Sequence, residues 1–170
     1  HKREIVSQVA QTVYQQNFMN ISMQIDSART LQDWFDVYKR LTIQELQLST
    51  ADTGMMDMLL SQKEEANNAF ARFVSKNYIS WINKTTSLQK EDDIPIKVFL
   101  IVIDNLRYDQ WRTLAQQIGD SFEIEENLYT SILPTATQYA RNAIFSGLMP
   151  DQIAKMFPDL WVDEDEEEGK

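Results

Sequence analysis

The residues able to do chemistry cluster in residues 97–150. Asp104 closes an apolar run, Lys97-Val98-Phe99-Leu100-Ile101-Val102-Ile103, and Asn105-Leu106-Arg107-Tyr108 follows it. Thr135 and Thr137 flank Ala136 just after Pro134, and Arg141 comes four residues after Thr137. An apolar run without alternation suits a strand buried on both faces, as in parallel sheets. Ligands of such sheets bind beyond the carboxyl ends of the strands. If the two strands are neighbours, Asp104 and the Thr135/Thr137 turn face one crevice. Each residue also has a plainer reading. Asp104 and Thr137 are both good helix N-caps, and Arg141 can be a surface cation. It is the combination that points to a polar ligand site.

The elements that must carry these residues follow in β-α-β-α order. A first strand ends at Asp104, and a helix covers about Asp109–Ile118. Phe122 to Leu133 reads as a second strand, interrupted near Glu125-Glu126-Asn127. Pro134 ends it, because the residue before a proline prefers extended geometry. A second helix runs from Thr137 to Phe145 and is closed by Gly147 and Pro150. This order implies a right-handed parallel crossover.

Residues 1–94 differ in kind. Ile5, Val9, Val13, Phe18, Ile21 and Ile25 recur at helical spacing. Trp34, Val37, Tyr38, Leu41 and Leu48 mark a second helix. Met55 through Ile82 marks a third, with Met58, Leu59, Phe70, Phe73, Val74, Ile79 and Trp81 in its stripe. Cap-type residues gather at Asp26–Thr30 and Ser49–Gly54. Three long helices with short joints make a bundle. The cluster Met55, Met56 and Met58 is either a pliable contact surface or core. Residues 83–94 are a polar connector ending in Lys90-Glu91-Asp92-Asp93-Ile94-Pro95. The expected architecture is therefore α followed by α/β: a three-helix linker bundle over 1–94, then the first β-α-β-α units of a larger domain over 95–170.

Composition narrows the functions. The chain has 170 residues, 16 basic and 26 acidic, for a net charge of −10. Residues 1–95 carry 10 basic and 12 acidic groups (net −2), and residues 96–170 carry 6 and 14 (net −8). An acidic chain is poorly suited to duplex DNA or anionic membranes. No apolar run reaches the ~18 residues a membrane span needs. With no cysteine there is no thiol nucleophile and no Cys-based zinc finger, and a cytoplasmic location is mildly favoured. His1 is the single histidine, and a chain starting there reads as a cut fragment. The acidic run Asp163–Glu168 reads as a solvated segment.

Val98–Asp104 followed by Asn105-Leu106-Arg107-Tyr108-Asp109 resembles the PglZ pattern, a hydrophobic strand and then D-x-L-R-Y/W. Pro134-Thr135-Ala136-Thr137, with Gly147 ten residues after Thr137, resembles the nucleophile segment of the alkaline phosphatase superfamily, to which PglZ domains belong. The bundle, with Glu45-Leu46-Gln47-Leu48 and Ser61–Asn67, is similar to the linker of PorX-type response regulators of Bacteroidetes. The resemblance implies a zinc-dependent phosphodiesterase or phosphatase with two zinc ions in the intact parent. It implies Thr137 as nucleophile and metal ligand, Asp104 as metal ligand, and Arg141 and Asn105 as substrate-binding residues. Thr135 remains open as the nucleophile in place of Thr137. Such chemistry is physically sound, since a bound cation turns a weak hydroxyl nucleophile into an alkoxide. The implied partners are a phosphate ester or oligonucleotide, a second copy of the chain, a sensor histidine kinase and a sigma factor controlling type IX secretion genes.

The pattern also departs from the superfamily. Tyr139 stands where the sulfatase branch has proline, and Ala140 where some branches have asparagine. The superfamily's histidine ligands, mostly C-terminal to the nucleophile, have no counterpart in residues 138–170. Residues 1–170 alone are therefore expected to be inactive. The alternative is a non-catalytic signalling module that dimerises and binds a sigma factor or kinase. The third possibility is a structural module with a degenerate PglZ remnant.

Overall fold

The computed structural model describes residues 2–48, 53–82, 99 and 101–161, with the side chains of 2–11 and Thr53 excepted. His1, the connector 83–94 and the acidic run 163–168 lie outside the described residues. The described elements are α1 (Lys2–Ser27), α2 (Leu31–Gln47), α3 (Thr53–Ile82), α4 (Tyr108–Ile118), α5 (Thr137–Ser146), α6 (Pro150–Met156) and a 3₁₀ turn (Pro158–Leu160). They fall into two compact units, His1–Lys84 with Leu106–Glu125, and Thr85–Asn105 with Glu126–Lys170.

In the first unit α1, α2 and α3 form the expected bundle. Tyr14 Oη donates to the Met55 carbonyl at 2.8 Å, and Gln62 Nε2 donates to the Phe18 carbonyl and to Ser22 Oγ, each at 2.8 Å. These contacts advance together along α1 and α3, so the two helices run parallel. Lys63 pairs with Glu45 at 2.8 Å, while Trp34 meets Phe70 and Phe73 at ring distances of 5.4 and 6.0 Å. Here one helix ascends as the other descends, so α2 is antiparallel to α3. The order is up-down-up, as short joints require.

The core follows from the sequence stripes. Ile21, Ile25, Trp34, Val37, Leu41 and Leu59 are buried together, and Leu48, Met56, Phe70 and Phe73 pack on them. The methionine cluster splits. Met56 joins the core, and Met58 is 42% exposed. The start of α2 is set by a capping box at Thr30. Asp33 N–H donates to Thr30 Oγ1 at 3.2 Å, and Thr30 N–H donates to Asp33 Oδ2 at 2.8 Å. Arg29 N–H adds a third bond, to the same carboxylate. Together these bonds hold the Asp33 pKa below its ordinary value, the Arg29 and Thr30 backbone bonds first among the causes.

One helix expected with the α/β segment packs on the bundle. Helix α4 lies against α2, and its one buried residue, Tyr108, meets the Tyr38 ring at 5.6 Å.

The described residues contain no strand, so the β-α-β units of the expectation are not shown among them. Phe99, Ile101–Ile103 and all of Phe122–Leu133 are irregular, and Lys97, Val98 and Leu100 lie outside the description. The helices of that expectation are present as α4 and α5. The physical reason is that a strand is defined by its ladder, and one or two unpaired segments are marginal at best. Phe99 and Ile101 are 87% and 79% exposed, so these apolar residues have no covering layer among the described residues. Glu123, Glu125 and Glu126 also break the second run with like charges.

Candidate functional site

The second unit brings Asp104 and Thr137 together. Pro134 favours an extended residue before it, and the chain is extended at Ala136, the N-cap of α5. Thr137 is thus the first helical residue, and its hydroxyl is not spent on capping, contrary to the plainer reading. Gly147 ends α5 at φ 66°, the left-handed geometry that favours glycine at a helix C-terminus. The turn after the first apolar run contains Asn105 at φ 57°, a region asparagine tolerates better than most residues.

Thr137 Oγ1 donates to Asp104 Oδ2 at 3.5 Å. That is the outer edge of hydrogen-bond reach, well beyond the ~2.7 Å of a strong O–H···O bond. It suits a different relationship. Two oxygens bound tetrahedrally to one zinc at ~2.0–2.2 Å are about 3.3–3.6 Å apart. The pair therefore fits two positions of a single ion's shell. Among the described residues no group of three or more His, Cys, Asp or Glu could hold a metal ion. The chain thus offers two oxygen donors here, where a zinc shell takes four.

Arg141 lies one turn along α5 from Thr137 and is exposed, with no hydrogen bond or ion pair among the described residues. Its guanidinium is free to meet an anion. Asn105 is exposed beside Asp104 and makes no side-chain hydrogen bond among the described residues. Thr135 is exposed two residues before the helix and has no bond to Asp104. Of the two threonines, Thr137 is the one paired with an acid.

Two further contacts were not anticipated. Tyr139 stacks on Trp161 at a ring distance of 6.2 Å, which ties α5 to the chain after the 3₁₀ turn. Its place in the motif gave the signal, since an aromatic replaces the proline of the sulfatase branch. In the first unit, Arg107 binds Asp109 through two nitrogens, Nε at 3.0 Å and Nη2 at 2.9 Å. This fork raises the Arg107 pKa and lowers that of Asp109, the side-chain hydrogen bonds being the largest cause of both. Arg107 is thereby committed to an internal pair.

Comparison with protein-family models places these elements. Residues 4–82 match the PorX response regulator linker domain. Residues 81–170 match the BREX system PglZ alkaline phosphatase-like domain. No curated protein matches the chain. The two matches together fit a response-regulator-like protein with a phosphatase-like effector, and an alkaline phosphatase-like domain suggests dependence on a metal.

Proposed function

The chain belongs to the PglZ alkaline phosphatase-like family, and from that premise we propose that its parent is a response regulator whose effector is a zinc-dependent phosphodiesterase or phosphatase. The observation that carries this is the approach of Thr137 Oγ1 to Asp104 Oδ2 at 3.5 Å. Asp104 and Thr137 would hold the metal, with further ligands needed from beyond this pair. When bound, zinc supplies a Lewis acid that lowers the hydroxyl's pKa and shields phosphate charge.

The chain's own residues do the rest. Thr137 Oγ1 attacks phosphorus, the bond to the leaving oxygen breaks, and a phospho-threonine forms. Water then attacks phosphorus and releases phosphate or a monoester, returning the threonine. Asp104 sits beside the hydroxyl. The proton that Thr137 gives up passes to solvent, and the leaving oxygen takes one from solvent, so the step balances. Arg141 meets a non-bridging phosphate oxygen, and Asn105 lies beside the same anion. The substrate class is a phosphate ester, with an oligonucleotide as the favoured diester.

The same reading assigns residues 1–94 to the linker and 95–170 to the effector domain, with the apolar runs ending at Asp104 and Leu133 as strands of its sheet. It places the protein in the cytoplasm as a homodimer. Its signalling partners are a sensor histidine kinase and a sigma factor, and its output is type IX secretion genes. The linker match over residues 4–82 favours a second reading. In it the module signals by dimerisation and partner binding without turnover.

Hydrolysis of bis(p-nitrophenyl) phosphate with added Zn²⁺ separates the two. The full-length protein is compared with its Thr137→Ala variant. Activity that the variant loses supports the enzyme. An inactive parent, or a variant at full rate, leaves the binding switch.

A further inference from the structure

We propose that the outer face of α1 pairs with the same face of a second copy of this chain, as an antiparallel coiled coil. The inference gives a surface to the homodimer proposed above and rests on that reading. Two apolar stripes run along α1. One holds Ile21 and Ile25, 3% and 4% exposed in the bundle core. The other holds Met19 and Met23, 65% and 67% exposed, preceded by the exposed Thr12 and Gln16. At 3.6 residues per turn the two methionines fall nearly opposite Ile21 and Ile25. Ile5 and Val9 stand two heptads before Met19 and Met23 on the same helix. Positions 5, 9, 12, 16, 19 and 23 therefore follow in alternating steps of four and three, the a/d spacing of a coiled coil. The spacing extends to Lys2 and Asp26 at the two ends, so the seam covers ~36 Å of helix.

Charge and register identify what covers this face. No residue from Ile5 to Ile25 is charged, in a chain that is 25% charged with a net charge of −10. Two copies of so acidic a chain repel each other over much of their surface. Here they can meet without opposing like charges. The seam also reads alike in both directions. An antiparallel pair centred between Thr12 and Gln16 sets Thr12 against the partner's Gln16 and Val9 against the partner's Met19. The same register sets Ile5 against the partner's Met23 and Lys2 against the partner's Asp26. Polar meets polar, apolar meets apolar, and cation meets anion. A parallel pair would instead set Lys2 on Lys2 and Asp26 on Asp26, with like charges apposed at both ends. The antiparallel pair also opposes the two helix dipoles. It uses the same patch on both copies, so it closes as a dimer.

The test uses the 170-residue chain, which has no cysteine of its own. Sedimentation equilibrium is expected to show a monomer–dimer equilibrium. Met19→Glu with Met23→Glu is expected to weaken it about 100-fold or more, since four carboxylates then face one seam. Both positions are exposed, so the variant should keep wild-type helix content by circular dichroism. Ile79→Glu, on α3 and 64% exposed, is expected to leave the dimer within about two-fold. A short bismaleimide reads orientation without adding charge. Val9→Cys and Met19→Cys chains are expected to cross-link when mixed and not alone, because like positions lie ten residues, ~15 Å, apart in the antiparallel pair. This arm decides the question if the glutamate variant does not fold. A wild-type chain that stays monomeric at ~1 mM overturns the homodimer reading, and the seam with it. A dimer that Met19→Glu with Met23→Glu leaves intact, or that Ile79→Glu weakens as much, overturns the seam and assigns the homodimer to another surface. Cross-linking of Met19→Cys alone overturns the antiparallel register, as does a mixture that fails to cross-link.

Discussion

Thr137 Oγ1 stands 3.5 Å from Asp104 Oδ2, although 33 residues separate them along the chain. The hydroxyl belongs to the first turn of α5, and the carboxylate to the turn that follows the apolar run. Neither group is otherwise engaged among the described residues. Asp104 takes no further hydrogen bond among the described residues, and the cap of α5 is the backbone of Ala136.

Thr137→Ala and Asp104→Asn should each lower hydrolysis of bis(p-nitrophenyl) phosphate by about 10³-fold or more in the full-length protein. Thr135→Ala should keep most of the rate, since Thr135 is exposed and lacks an acid partner. A loss in Thr135→Ala equal to that in Thr137→Ala would transfer the nucleophile to Thr135. Stopped assays with both variants decide this.

Removing metal with a chelator should abolish activity, and added Zn²⁺ should restore it. Asp104→Asn should bind zinc at least 10-fold more weakly than the parent, because a carboxylate ligand becomes a neutral amide. Equilibrium dialysis reads this without any substrate. Equal zinc binding by both proteins would remove Asp104 from the metal shell.

The capping box at Thr30 carries a pH signature. Thr30→Ala should cost about 1 kcal/mol of bundle stability. Asp33 has a folded pKa below 3.8, held there by N–H groups that bond its ionised form. Its contribution is therefore fully present above the unfolded value and is lost as pH falls through the lower folded one. The stability gap between wild type and Asp33→Asn should be constant near neutrality and close below pH ~3.8. Urea melts across that range measure it.

Leu59 is fully buried at 0% exposure between the helices, so Leu59→Ala should destabilise by about 2–5 kcal/mol. Gln44 offers the opposite case. It is 4% exposed, and neither of its amide atoms has a hydrogen-bond partner among the described residues. Gln44→Leu removes two unpaired polar atoms and should raise stability by about 1 kcal/mol or more. Urea midpoints for the two variants should move in opposite directions.

Much of the bundle was legible because helices are coded locally. Trp34, Val37 and Leu41 recur at a period that one backbone geometry satisfies, and Thr30 with Asp33 marks a start that neighbours alone can make. Helix α5 was legible for the same reason, bounded by Pro134 before it and Gly147 after it. Asp104 and Thr137 stood out as residue types beside such boundaries. Their 3.5 Å approach did not, because it depends on how a turn at Asn105 and a helix 33 residues later pack in one unit. The commitment of Arg107 to Asp109 was also hidden, since a motif names a residue and not its partner. The strands were the least secure expectation. A strand needs a neighbour's N–H and C=O groups to exist, and no stretch of sequence carries its own ladder. The packing of Tyr108 on Tyr38 belongs to tertiary structure for the same reason: two rings 70 positions apart meet only when α4 finds the face of α2. Sequence alone thus determined the bundle helices, α4 and α5, though not α6, and which residues are chemically able. Tertiary structure decided which of those residues meet, because only long-range packing sets distances between side chains that the chain itself holds apart.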